Sequence, residues 1–168
     1  SFPTRRSSDL EGVPVYAVGK IEDIYAHRGI TESNHTGNTL DSAKLVSQWT
    51  QEKKDGLIFA NFMDCDMMYG HRRDAKGYAR AIETMDQWLA SYLPLLQNDD
   101  TLIITADHGN DPTYKGSDHT REFVPLLVYQ PGRDGRDLGV RNGFYDIAQS
   151  IAKRFGVAPM PRGVSFLG

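Results

Sequence analysis

Short β-rich runs alternating with helical stretches constrain this chain more than any other feature of it. The runs are VPVYAVG (13–19), LIFANF (57–62), TLIIT (101–105) and FVPLLVY (123–129). The first two suit buried parallel strands, rich in Val, Ile, Phe and Tyr and bounded by Gly. Pro125 cannot donate to a ladder, so the last run reads as an edge or irregularly paired strand. A helix capped by Thr39 or Asp41 runs to about Lys54, with Leu40, Ala43, Val46 and Trp49 on one side, and Gly56 stops it. A second covers about 75–97, where Tyr78, Ile82, Met85, Leu89, Tyr92 and Leu96 form an apolar stripe and Pro94 bends or ends the last turn. A third covers 144–155, with Ile147, Ile151 and Phe155 inward and Gly156 closing it. Residues 26–38 and 133–143 read as loops. Strands separated by helices predict an α/β layered fold with a mostly parallel sheet. Ligands of such sheets gather beyond the carboxyl ends of the strands.

That rule directs attention to two loops. Run 57–62 leads into Met63-Asp64-Cys65-Asp66 and Gly70-His71-Arg72-Arg73-Asp74. Run 101–105 leads into Asp107-His108-Gly109-Asn110-Asp111, with His119 eleven residues past His108. Carboxylates mixed with imidazoles suit Mn²⁺ or Zn²⁺, whereas Ca²⁺ and Mg²⁺ prefer oxygen donors alone. Asp66, His71, Asp107, His108 and His119 exceed what one tetrahedral ion needs, so a two-metal centre is expected. Asp64 reads more readily as a loop-capping carboxylate than as a ligand, and His27 and His35 as solvated. Arg72 and Arg73 read either as surface charge or as a doublet that holds a phosphate. Cys65 has no evident base beside it and reads as a small buried hydrophobe.

Composition narrows the function classes. With 19 Lys+Arg against 22 Asp+Glu, the net charge is -3, without the basic excess of a general nucleic-acid binder. A single cysteine excludes an internal disulfide framework and fits a reducing cytosol. No apolar run approaches the length of a membrane span. The 168 residues have room for one domain and contain no initiator Met, which marks a processed protein or a piece of one. SFPTRRSSDL (1–10) lacks the apolar core of a signal peptide. It is what one frame of a common sequencing-library adapter encodes, so a translated contaminant is expected there, a disordered basic arm being the alternative.

GKIEDIY (19–25), DMMYGHRRD (66–74), TADHGNDPTYKGSDHTREFVPLLVY (105–129) and GVSFLG (163–168) closely resemble the phosphopentomutase family of the alkaline-phosphatase superfamily. The resemblance runs from about Gly12 to Gly168. ADHGN alone is shared with cofactor-independent phosphoglycerate mutases, whereas the GHRRD loop and the DPTYKGSDHTRE continuation are more specific. The resemblance implies a three-layer alkaline-phosphatase-like core with a mostly parallel sheet, incomplete at its N-terminal side and lacking the cap domain. Residues 11–168 would be the carboxy-terminal part of that core.

The resemblance further implies two Mn²⁺ ions, with Zn²⁺ and Mg²⁺ as alternatives. Asp66, His71 and His119 resemble the ligands of one ion, and Asp107 and His108 those of the second. Lys20 resembles a lysine that reaches a substrate phosphate, and Arg72 and Arg73 match the family's arginine doublet. The implied reaction interconverts ribose 1-phosphate and ribose 5-phosphate, and the deoxyribose equivalents, in nucleoside salvage and catabolism. A phosphothreonine, primed by an activating sugar bisphosphate, passes its phosphoryl group to the pentose phosphate. That threonine, a further metal-binding Asp and the cap belong to a segment ahead of this one, so the 168 residues alone are expected to be inactive but to bind metal weakly. A cytoplasmic enzyme without nucleic-acid, membrane or protein partners is expected. The competing readings are a related metal-dependent phosphatase or phosphoglycerate mutase, a non-catalytic binding module, and a generic metal-binding α/β domain.

Overall fold

The computed structural model describes residues 12–52 and 55–168. The suspected arm at 1–10 lies outside them. Strand β1 (Val15–Val18) is followed by a short helix α1 (Ile21–Ile24), strand β2 (Glu32–Asn34), helix α2 (Thr39–Gln51) and strand β3 (Leu57–Ala60). A π-turn (Cys65–Gly70) then precedes α3 (Ala75–Tyr92), which tightens into a 3₁₀ turn at Leu93–Leu95. Strands β4 (Leu102–Thr105) and β5 (Leu126–Tyr129) and helix α4 (Tyr145–Phe155) complete the order.

β1 is the middle strand of a parallel sheet, β2-β1-β3, in register from Val15 opposite Leu57 to Val18 opposite Ala60. β2 falls inside the segment expected to be a loop. Its sequence, Glu-Ser-Asn, carries no apolar signal, and it is held by backbone pairing of Tyr16 with Glu32 and Val18 with Asn34. β4 and β5 form a separate antiparallel pair, from Leu102 opposite Tyr129 to Thr105 opposite Leu126. The parallel expectation thus holds for the first three strands and not for the last two. No helix lies between β4 and β5, and the crossover that a parallel pairing needs is usually a helix. Pro125 stands just ahead of β5, its carbonyl accepting from Thr105 Oγ1 at 2.8 Å.

Asn38, rather than Thr39 or Asp41, caps α2. Its backbone is extended, and its Oδ1 accepts from Asp41 N at 2.9 Å. The core gathers where α2 and α3 cross the parallel sheet: Val18, Val46, Trp49 and Tyr92 are buried together, with Ile58, Phe62, Trp88, Leu89 and Leu102 packed around them. The stripe on α3 is buried only towards its end. Tyr92 is 5% exposed, whereas Ile82 is 48% exposed. On α4, Ile147, Ile151 and Phe155 are half-buried, and the polar Asp146 and Ser150 are buried. The GVSFLG segment explains them. Val164 N and Phe166 N donate to Asp146 Oδ1 and Ser150 Oγ, both at 2.9 Å, and Arg141 Nε reaches Asp146 Oδ2 at 2.8 Å.

Candidate metal centre

Beyond β3 the chain makes a π-turn, which, like β2, sequence periodicity did not suggest. It closes on His71 N donating to Asp66 O at 3.1 Å, a step of five residues, and single π-turns of this kind recur at functional sites. The turn lays His71 over Asp66, with Nε2 to Oδ2 at 3.4 Å. Asp64, just ahead of it, bonds instead to the start of α2: its Oδ2 accepts from Thr39 N at 3.2 Å, and Thr39 Oγ1 accepts from Asp64 N at 3.4 Å. This is the structural role expected for it. Burial pushes the Cys65 thiol above its ordinary range, with Asp64 and Asp66 adding to the shift, so the group stays protonated and non-nucleophilic at neutral pH.

Beyond β4, residues 109–120 form a loop closed by an antiparallel bridge between Gly109 and Thr120, Thr120 N donating to Gly109 O at 3.0 Å. The closure stacks His119 on His108, ring centroids 3.6 Å apart, and sets His119 Nε2 at 3.3 Å from Asp66 Oδ1 and 3.2 Å from His71 Nε2. Only glycine fits at 109, because a Cβ there would stand 2.6 Å from the Thr120 carbonyl oxygen. Gly109→Ala is expected to open this bridge at a cost of about 1–3 kcal/mol, as overpacking does. At roughly 2–4 °C per kcal/mol for a chain of this size, melting of the metal-free protein should fall by several degrees. An unchanged melting temperature would count against the loop closure.

The donors fit a divalent ion. Bonds of about 2.0–2.2 Å place neighbouring tetrahedral ligands roughly 3.3–3.6 Å apart, close to the separations of His71 Nε2 from Asp66 Oδ2 (3.4 Å), of His119 Nε2 from Asp66 Oδ1 (3.3 Å) and of the two Nε2 atoms from each other (3.2 Å). Asp66, His108 and His119 each offer a ligand atom within 4.8 Å of the others. His71 Nδ1 lies 2.6 Å from the Ser117 carbonyl, and His108 Nδ1 lies 3.1 Å from that of Gly109. A carbonyl can only accept, so each Nδ1 is the donor and Nε2 is the ring nitrogen left to face a metal. The side chains are about a third to a half exposed, so the centre faces solvent. Asp107 is the outlier: its side chain is 72% exposed, with Oδ1 at 3.7 Å from His108 Nε2.

The other expected site residues lie at the margin. Lys20 is exposed, its Nζ at 3.5 Å from Met67 Sδ, one residue past Asp66. Arg72 is exposed. Arg73 turns away from solvent and donates to Asn110 Oδ1 at 3.1 Å and to the Asp111 and Asp118 carbonyls at 2.7 and 2.6 Å. Asn110, to which sequence reasoning gave no role, is 7% exposed and donates through Nδ2 to Asp66 Oδ1 at 2.5 Å. Its only sequence signal was its position after Asp107-His108-Gly109. Thr113 donates to Asp111 Oδ1 through its hydroxyl and its backbone N–H, and these bonds, aided by Arg73, hold the Asp111 carboxyl below its ordinary range.

A family profile described as the Metalloenzyme superfamily matches residues 12–159. The chain is 52% identical, over 157 residues, to the phosphopentomutase of Caldanaerobacter subterraneus subsp. tengcongensis, covering 93% of this chain and 40% of that protein. It is 47% identical over 157 residues to the phosphopentomutase of Alkaliphilus oremlandii, again 93% against 40%. The chain thus spans about 40% of the length of the curated relatives it matches. Among solved structures, Leishmania mexicana phosphoglycerate mutase superposes with a TM-score of 0.69 at 19% identity, covering 94% of this chain and 38% of that one. At that identity the likeness speaks for the fold alone.

Proposed function

The chain belongs to the Metalloenzyme superfamily, and on that premise we propose that it is part of the catalytic core of a phosphopentomutase. The reading is carried by identity of about half, along nearly all of the described residues, to enzymes of that name. Asp66, His71 and His119 would hold one metal ion and Asp107 and His108 a second, each of which we take to be Mn²⁺. The ions would neutralise phosphate oxygens and acidify an attacking hydroxyl. The protein's own part is to orient the imidazoles, as the carbonyls that accept from Nδ1 of His71 and His108 do, so that Nε2 is the nitrogen offered to the metal. Lys20 and Arg72, exposed around the centre, are assigned to the phosphate that is not reacting.

The nucleophilic threonine is assigned to a segment outside these 168 residues. Its phosphoryl group passes to the free hydroxyl of the pentose phosphate, and the resulting bisphosphate returns its other phosphoryl group to the threonine after turning round. A sugar bisphosphate primes the cycle, and no protein partner is invoked. Among the described residues no helix is long and apolar enough to cross a membrane, and we place the enzyme in the cytoplasm, in nucleoside metabolism. The test is an assay of an intact reading frame containing these residues, with Mn²⁺ and an activating bisphosphate. Interconversion of ribose 1-phosphate and ribose 5-phosphate is expected, and the 168 residues alone should not support it. Interconversion of phosphoglycerates in its place would overturn the assignment, and full-rate turnover by the 168 residues would overturn the placing of the nucleophile.

A further inference from the structure

Arg73 and Asn110 tie the two metal-bearing loops together; the guanidinium has no lone pair for an ion, and the Asn110 amide oxygen accepts from Arg73. Arg73 has φ 55°, a left-handed backbone that few residues other than glycine adopt without compensation. The compensation is visible. The turn aims its guanidinium back under the 110–118 loop, where it meets four oxygens: Asn110 Oδ1, and the carbonyls of Asp111, Gly116 and Asp118. A planar fork of donors can satisfy that many acceptors at fixed angles, whereas an ammonium on a flexible stem cannot. Two of these bonds bear directly on the centre. The Asp118 carbonyl immediately precedes His119. The Asn110 Oδ1 bond fixes which end of the amide faces Arg73, so Nδ2 must face Asp66 Oδ1.

Close packing supports the same relay from the other side. A Cβ on Gly70 would stand 2.3 Å from Asn110 Nδ2, so the π-turn backbone is shaped around the amide. Asp66 Oδ1 accepts from Asn110 and lies 3.3 Å from His119 Nε2. The carboxylate is thereby kept from swinging off the two histidines.

We propose that Arg73 and Asn110 are positioning residues that set Asp66 and His119 for metal binding, and that Arg73 does not serve as a phosphate ligand. The proposal rests on the metal-centre reading and deepens it. Its test is calorimetric titration of Mn²⁺ and Zn²⁺ into the full chain and into Arg73→Lys and Asn110→Ser, with melting of each metal-free protein and titration of inorganic phosphate in parallel. Affinity for the metals should fall roughly 10- to 100-fold in both variants, the range for outer-shell partners, while Lys76→Ala on the exposed start of α3 leaves it unchanged. The metal-free melting temperatures should stay within a few degrees of the parent. Metal affinity within about twofold of the parent, or a loss only in proportion to lowered melting, overturns the relay. So does a variant Arg73→Lys that keeps its metal affinity and loses phosphate. If the unsubstituted chain binds neither metal, the metal-centre reading itself falls and takes the relay with it. That outcome is distinct from a parent that binds while its variants are unaffected.

Discussion

Asp66→Asn should remove metal binding while leaving the fold in place. Asp66 faces both His71 Nε2 and His119 Nε2, at 3.4 and 3.3 Å, so it is the carboxylate that balances the charge of an ion held by those imidazoles. Losing a direct ligand exceeds the roughly 10- to 100-fold cost of losing an outer-shell partner, so the drop in affinity should be greater than about 100-fold. Asparagine keeps the shape and can still present an oxygen to Asn110 Nδ2, so the neighbouring bond survives. Calorimetry with Mn²⁺ or Zn²⁺ reads the first effect. Thermal melting reads both: the parent should gain stability with added metal by mass action, and the variant should melt like the metal-free parent at every concentration. A variant that still gains stability from metal would show that the ion sits elsewhere.

The second large effect lies away from the site. Trp49 is 3% exposed, packed with Val18, Val46 and Tyr92, its ring 5.8 Å from that of Tyr16. Trp49→Ala removes a large buried aromatic, which costs about 3–5 kcal/mol, against a total that for domains is about 5–15 kcal/mol. The urea midpoint should fall by about 2 M, given a slope of about 1–3 kcal/mol per M. Metal binding should weaken with it, because α2 is joined to the start of the π-turn by the paired Thr39–Asp64 bonds. A midpoint that moves by less than about 0.5 M would mean that this cluster is not the core of the molecule.

Much of the scaffold was legible in the amino-acid order, and the exceptions share a cause. The four expected runs became strands at Val15–Val18, Leu57–Ala60, Leu102–Thr105 and Leu126–Tyr129, because burial of branched and aromatic side chains leaves a local signature. β2 left none: Glu32–Asn34 is a strand only because β1 offers its backbone. The π-turn was hidden for a similar reason. A step of five between Asp66 and His71 matches neither helix nor strand periodicity, and its backbone bond is invisible in composition. Asn38, which caps α2 in place of Thr39 or Asp41, stands next to the first of the two residues chosen, within the usual uncertainty of helix ends.

At the site the division is sharper. Residue types alone named Asp66, His71, Asp107, His108 and His119 as donors, since few other side chains bind a divalent ion and each stands just beyond a strand or in the loop that follows. Their mutual geometry was decided in three dimensions. The bridge between Gly109 and Thr120 stacks His119 on His108, and the guanidinium of Arg73 locks the loop that carries it. Metal chemistry is a property of side-chain types, which the order of residues states outright. Convergence depends on backbone bonds and close contacts between segments about forty residues apart, such as Arg73 with Asp118 and Asp66 with Asn110, and these exist only once the chain has folded.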